Sequence, residues 1–343
     1  MKNVLITGGC GFIGSNFVEY LANREEYHIV VLDKLTYAGN LKNLEAVNSL
    51  KYTFINGDIC NKKVLNELFE KYKFFAVFHF AAESHVDRSI DSPKQFIQTN
   101  IFGTFNLLEV SRFYMNKLDP EFKFIHVSTD EVYGDINKNI SVNESYNYNP
   151  SSPYSASKAG ADQLIKSYYR TYGSKVVIAN SCNNYGPRQL PEKFIPKVIF
   201  NIIQNKPIPV YGKGTNVREW IYVKDNCEAL IKIFEKGKIG KNYNIGSGIR
   251  VKNLNIIKLI LRIAKKNKIY IQRKVNVKFV KDRPGHDKRY AINSGKIKKE
   301  LKWKHKISLI DGLNKTFSWY LNNKKFFKQI SKKNINKRFG LKI

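Results

Sequence analysis

Thr7-Gly8-Gly9-Cys10-Gly11-Phe12-Ile13-Gly14 decides the fold. It follows the apolar run Val4–Thr7 and opens the amphipathic stretch Phe12–Asn23, so it reads as a strand that turns directly into a helix. Glycines at 8, 11 and 14 permit a tight turn, let backbone N–H groups approach a pyrophosphate, and let the helix pack closely on the strand. A second apolar run ends in Asp33 about twenty residues further on, where a carboxylate accepts from a ribose 2′-OH and repels a 2′-phosphate. NAD is therefore expected over NADP, with Lys34 as the one contrary neighbour.

Outward from that turn, apolar runs at Tyr52–Ile55, Ala76–Ala81, Phe124–Ser128 and Val176–Asn180 alternate with helical patterns at Lys62–Tyr72, Pro93–Phe113 and Tyr154–Tyr172. Alternation of this kind predicts an α/β fold, a Rossmann-type doubly wound parallel sheet covered on both faces. Beyond about residue 185 the pattern changes to Pro/Gly-rich loops and short strands (Trp220–Val223, Tyr243–Ile245, Val277–Val280). Helices are expected there at Lys224–Lys236, Leu254–Ala264 and Ile307–Leu321. The expected division is an NAD-binding domain over 1–185 that carries the catalytic residues, and a smaller mixed α/β, mainly substrate-binding lobe over 186–327. A basic tail over 328–343 completes the chain. That tail carries six Lys or Arg and no acid, and its few apolar residues predict that cutting after Phe327 leaves folding and activity intact.

The chain has 343 residues, enough to bury a large core, and its 43% hydrophobic and 13% aromatic content excludes a disordered polymer. No apolar run is long enough to span a membrane, and Val4–Ile13 lacks the flanks of a secretion signal. Scattered Cys10, Cys60, Cys182 and Cys227 fit free thiols in a cytoplasmic setting and show no metal spacing, so no metal is expected. The net charge of +31 is spread over the whole length, which reads as solvated lysine faces and argues against nucleic acid as a partner.

Two further motifs carry chemistry. Tyr154 and Lys158 lie four apart after Ser152-Pro153, on one face of a starting helix, so an ammonium together with a cationic nicotinamide can lower a neighbouring phenol towards neutrality. The strand Phe124–Ser128 runs into Thr129-Asp130-Glu131, two adjacent carboxyl groups where an open sheet presents its ligand crevice. An elimination needs one acid for the departing hydroxyl and one base beside a carbonyl, and this pair can supply both.

The glycine turn with Tyr154 and Lys158 resembles the extended short-chain dehydrogenase/reductase superfamily. Further stretches narrow this: Asp33 to Asn40, Ala81-Ala-Glu-Ser-His-Val-Asp-Arg-Ser89, Thr129 to Glu131, Asn183-Asn-Tyr-Gly-Pro187, Pro191-Glu-Lys193, Asn216-Val-Arg-Glu-Trp220 and Asp282-Arg-Pro-Gly-His-Asp287. Together they resemble the dTDP-glucose 4,6-dehydratases over roughly residues 1–327. Glu219 and Asn226 depart from that family's usual Asp and His, a difference expected to touch substrate-lobe detail and not the chemistry. Sugar epimerases and nucleotide-glucuronate decarboxylases of the superfamily usually have small hydroxyl residues where this chain has Asp130.

The resemblance implies a hydro-lyase that oxidises a nucleoside-diphosphate glucose at C4, removes water across C5 and C6, and reduces C6. The nucleotide is expected to be dTDP, with UDP-glucose, or an epimerase or decarboxylase activity, as alternatives. Tyr154, Lys158 and Thr129 would handle the C4 hydroxyl proton, Glu131 the C5 proton and Asp130 the leaving hydroxyl. NAD, tightly bound and regenerated each turnover, would contact Gly8, Gly11, Phe12, Ile13, Gly14, Asp33, Lys34, Leu35, Thr36, Asp58, Ile59, Ala81, Ser84, Thr99, Asn184 and the Tyr154–Lys158 pair. The nucleotide sugar would meet Ser84, Thr129, Asn183, Glu192, Lys193, Tyr211, Arg218, Asn253, Arg283 and His286, with Arg218 and Arg283 suited to a diphosphate. A homodimer built on Pro93–Phe113 and Tyr154–Tyr172 of each subunit, and a role in deoxysugar synthesis such as that of rhamnose, are further implications.

Overall fold

The computed structural model describes residues 1–117, 119–272, 275–329, 339 and 340. Its strands are β1 (Lys2–Thr7), β2 (Tyr27–Asp33), β3 (Tyr52–Asn56), β4 (Ala76–His79), β5 (Lys123–Thr129), β6 (Val176–Ser181), β7 (Asn183–Tyr185), β8 (Ile208–Tyr211), β9 (Val217–Tyr222), β10 (Asn242–Ile245), β11 (Arg250–Lys252) and β12 (Val277–Val280). Seven of them form one sheet in the order β3-β2-β1-β4-β5-β6-β10. Every neighbouring pair is parallel. Alternate side chains of these apolar strands feed two separate cores. Val4, Ile6, Ile29 and Val31 pack on the side of helices Phe12–Ala22 and Val223–Lys236. Leu5, Val30 and Leu32 pack on the side of Lys62–Tyr72, Thr104–Phe113 and Pro153–Tyr172. A continuous apolar run was needed because both faces are covered.

From β1 the chain moves outward through β2 and β3, then returns to β4 on the other side. The strand order therefore reverses between β1 and β4, and a crevice opens outside their carboxyl ends. The sheet takes its last strand, β10, from beyond residue 185, and helix Val223–Lys236 covers the sheet with it. The boundary read at 185 is thus crossed by the chain: β6 is completed by a strand from the second half. The remaining lobe holds a β11-β9-β7 sheet and a β12-β8 pair. Helices Phe194–Ile203, Asn253–Lys266 and Leu309–Asn322 surround its own core, which includes Ile199, Ile256, Leu313 and Phe317.

The stretch read as one helix over Pro93–Phe113 is divided. It runs as Pro93–Phe96, a π-helical segment Ile97–Gly103, and Thr104–Phe113. Inserted π turns of this kind re-aim side chains and collect at functional sites. Helix Phe194–Ile203 was not read from the sequence, because Pro196 falls in its first turn, where a missing N–H costs nothing. Most of the basic tail Lys328–Ile343 lies outside the described residues. Phe339 and Gly340 are described, however, and Gly340 is buried against Asp87 and Ile90, so this part of the tail does pack.

Gly8 closes the first turn at φ +70°, and a Cβ there would stand 2.6 Å from the amide nitrogen of Ala81. Neither strain can relax by moving a flexible side chain. Gly8→Ala is expected to lower stability by about 2 kcal/mol or more, read as a lower urea midpoint. An unchanged midpoint contradicts this account of the turn.

Candidate active site

The turn, the end of β2 and the ends of β4, β5 and β6 enclose a cavity of about 270 Å³. Gly8, Gly11, Phe12, Ile13, Gly14, Asp33, Lys34, Thr36, Asp58, Ile59, Ala81, Ser84 and Thr99 line it, together with Thr129, Glu131, Tyr154, Lys158 and Asn184. Leu35 does not line it. Its side chain packs on the core, and at φ +51° its backbone N–H donates to Asp33 Oδ1 at 2.9 Å. The other Asp33 oxygen accepts from the Cys10 N–H at 2.9 Å, which ties the acid to the glycine turn. Lys34 lies 3.4 Å from Asp58 and 3.3 Å from the Thr99 hydroxyl, so its charge is engaged away from Asp33.

β5 delivers the carboxylates. Thr129 Oγ1 accepts from the Glu131 N–H at 3.2 Å and so starts the short helical turn Asp130–Tyr133. Gly134 ends that turn at φ +73°, where a Cβ would meet the Asn149 carbonyl oxygen at 2.0 Å. The turn sends neighbouring side chains into different surroundings. Asp130 is 2% exposed. Burial, then Glu131 and Glu219, push its carboxyl well above the usual range, against Arg218. Glu131 instead faces the cavity, and Tyr290 Oη lies 3.3 Å from its Oε2 and 2.8 Å from Asp287 Oδ2. Glu219 is fully buried, with Arg250 Nε at 3.0 Å and the Gly248 N–H at 2.8 Å, and is one of the acids that push Asp130 upward.

Helix Pro153–Tyr172 begins on a capping box, Ser152 with Ser155, and on Pro153 in its first turn, and it stops at left-handed Gly173. This fixes Tyr154 and Lys158 one turn apart beside the cavity. The Lys158 ammonium donates to the Val127 carbonyl at 2.9 Å and lies 3.3 Å from His126 Nε2. Burial lowers it to about 8, and Asp162 opposes that fall. Asp162 is fully buried and accepts from Ser128 at 2.8 Å, Tyr148 at 2.9 Å and Asn180 at 3.2 Å. Burial disfavours its charge, but His126, Lys158 and Ser128 outweigh it and hold Asp162 below the usual carboxylate range. Burial and then Glu131 drive the Tyr154 phenol up, against the Thr129 hydroxyl.

A second cavity of about 400 Å³ opens into the small lobe and is lined by Tyr211, Arg218, Asn253, Arg283, His286 and Phe339. It shares Glu131, Asn183, Asn184, Glu192 and Lys193 with the first, so the two meet at the end of β5. Arg218, 6% exposed, donates to the carbonyls of Asp287 and Val217, both at 2.9 Å, and stacks 4.1 Å over Tyr290. It thus presents its charge without a carboxylate bonded to it. Arg283 differs: it is paired with Asp87 at 2.9 Å, and the same acid accepts from Tyr211 at 2.5 Å. His286 lies 2.6 Å from Asp282, and burial beside Arg283 and Arg218 lowers it to about 4. Among the described residues, no hydrogen-bond donor meets the buried side-chain oxygens of Asn183, Asn184 and Asn253.

Sequence reading missed several supports of the site. Asn100, in the π-helical segment, clamps both backbone groups of Glu83 at 2.8 and 3.0 Å and donates to Ser157 at 2.8 Å, joining the cavity loop to the catalytic helix. His126 and Asp162 looked like core residues. The four-residue spacing from Lys158 to Asp162 was the available signal for the latter.

Comparison with known proteins agrees with this geometry. The family model described as GDP-mannose 4,6 dehydratase matches residues 5–316. A dTDP-glucose 4,6-dehydratase of Haemophilus influenzae is 46% identical over 335 residues, covering 94% of this chain and 99% of its own. The solved dTDP-glucose 4,6-dehydratase of Streptomyces venezuelae, with NAD and TYD bound, gives a TM-score of 0.90 at 39% identity and covers 96% of this chain and 100% of that one. A UDP-glucose 4-epimerase of Thermotoga maritima gives 0.84 at 29% identity, covering 93% and 99%.

Asp162 is the anion nearest in sequence to the Lys158 ammonium on its own helix, so Asp162→Asn leaves burial less opposed and lowers the lysine pKa further from about 8. A reaction that needs the charged lysine should then lose rate at lower pH on the alkaline side. The check is the pH profile of kcat, and an alkaline limb in the wild-type position contradicts this coupling.

Proposed function

The chain belongs to the dTDP-glucose 4,6-dehydratase family, and from that premise we propose that it converts dTDP-glucose into the 4-keto-6-deoxy sugar with NAD as its cofactor. One water is lost, and the oxidation at C4 is balanced by the reduction at C6. NAD, when bound, supplies the hydride acceptor and donor for those two steps. The glycine turn, Asp33, Asp58, Thr99 and Asn184 would hold it in the first cavity, and the second cavity would take the nucleotide sugar.

The reading rests on one observation above the rest: a buried Asp130 carboxyl, pushed upward by burial and by Glu131 and Glu219, directly beside a cavity-facing Glu131. Tyr154 would take the C4 hydroxyl proton, with the Thr129 hydroxyl and the Lys158 ammonium stabilising the phenolate. The resulting ketone acidifies C5, whose proton passes to Glu131. Asp130 would give its proton to the departing C6 hydroxyl, which leaves as water. Arg218, bonded only to carbonyl oxygens, would receive the diphosphate. Arg283 would act mainly by holding Asp87 and Tyr211, and Tyr211 would offer its ring to the base.

Exposed Phe102, Phe105, Phe113, Tyr169 and Tyr172 lie on the two helical stretches expected to pair, which supports a homodimer formed there. None of the described helices is long and apolar enough to cross a membrane. A cytoplasmic location and a place at the head of a deoxysugar route, such as that to rhamnose, complete the proposal.

Purified protein given dTDP-glucose or UDP-glucose, without added NAD, should form the alkali-absorbing 4-keto product, faster from the dTDP sugar. Failure with both contradicts the reading. Asp130→Asn should oxidise C4 yet eliminate slowly, so that stopped-flow absorbance of reduced nicotinamide persists. Glu131→Gln should also suppress solvent-deuterium entry at C5. Losses of about 10²–10⁴-fold in turnover are expected for either variant, and wild-type turnover in both removes the assigned roles.

A further inference from the structure

Phe339 stands far along the chain from every motif, yet it forms part of the second cavity's wall. Its ring lies 4.1 Å from the Arg88 guanidinium carbon and 6.0 Å, edge to face, from the His85 ring. Arg88 also packs 3.8 Å over the ring of Tyr37. The guanidinium thus contacts two aromatic rings, an arrangement that restrains a planar cation far better than one ring alone. Its Nε lies 3.5 Å from Glu192 Oε2, and Tyr37 donates to the other Glu192 oxygen at 3.2 Å. Glu192 is one of the residues shared by both cavities. Gly340 anchors the ring: at φ +77° it sits against Asp87, where a Cβ would come within 3.3 Å of the Asp87 Cβ.

We propose that Phe339 is a positioning residue of the nucleotide-sugar cleft, whose ring holds Arg88 against Tyr37 and thereby positions Glu192 for the substrate. The inference rests on the second cavity being the nucleotide-sugar site. It also replaces the expectation that everything after Phe327 is dispensable. The ring lines the second cavity and not the first, so its influence falls on binding of the nucleotide sugar more than on the chemical steps.

In the full chain, Phe339→Ala should raise KM for dTDP-glucose about five- to tenfold, the effect of losing a partly buried cation–ring contact, with kcat within about twofold. Phe339→Trp should restore KM, whereas Phe339→Leu, which fills space without a π face, should not. Gly340→Val, strained at its positive φ, should displace the ring and reproduce Phe339→Ala. Arg88→Lys keeps the charge but loses the flat face, and adding Phe339→Ala to it should cost little more, because both remove the same contact. Calorimetric titration with dTDP should weaken in step with KM, while NAD content stays at the wild-type level. If the wild type does not turn over dTDP-glucose, the functional reading fails first. If it does, and Phe339→Ala and Gly340→Val both keep wild-type KM, this inference alone is overturned. A lower KM on removing the ring overturns it equally, since the ring would then obstruct the substrate.

Discussion

A carboxyl group buried at the end of a strand beside two other acids cannot stay ionised without a large cost in free energy. Asp130 is in that position, with Glu131 next to it and Glu219 behind it. Its neighbour in the chain looks the other way, into the cavity shared by both halves of the site. Two identical functional groups one residue apart are thereby placed in different environments, one buried and one facing the cavity. An elimination needs that separation. An epimerisation, which removes and returns hydride at one carbon, does not. The epimerase fold and this fold are nearly superposable, so reaction type lies in these few side chains and not in the scaffold.

The scaffold's part is to bring distant segments to one edge. β1, β4, β5 and β6 all end at the crevice, and each contributes its last residues or the loop beyond them. Behind that edge lies a fully buried layer of polar groups. His79 spans Thr7 at 2.7 Å and Thr104 at 3.0 Å, while His126 Nε2 lies 3.3 Å from the Lys158 ammonium and 3.3 Å from Asp162. Such a layer tolerates little movement, because every lost hydrogen bond strands a buried group. It fixes the lysine without neutralising it completely. The Tyr154 phenol beside it is driven up by burial and by Glu131.

Most of the fold was legible because parallel strands buried on both faces leave continuous apolar runs, and the glycine turn leaves a fixed spacing. Tyr154, Lys158 and the Thr129–Glu131 run were legible for the same reason: each lies in one short contiguous motif. What was not legible depends on contacts across the chain. The edge strand β10 is four residues long and looks like any loop-flanked apolar run until it meets β6. Arg283 and Arg218 read alike in sequence, but one is paired with Asp87 and the other is not bonded to a carboxylate. Asn100 and Asp162 gain their roles from partners 17 and 34 residues away. Phe339 was set aside with a basic tail because sequence cannot show that a terminal ring returns to a cleft.

A redox cycle that closes within one sugar, framed by an elimination, fixes the fate of the C4 hydrogen. Mass and NMR analysis of the product formed in ordinary water from dTDP-glucose carrying deuterium at C4 should find the label at C6 of the same molecule, with one oxygen lost and no label passed to the solvent. Label retained at C4, or washed out into water, would contradict it.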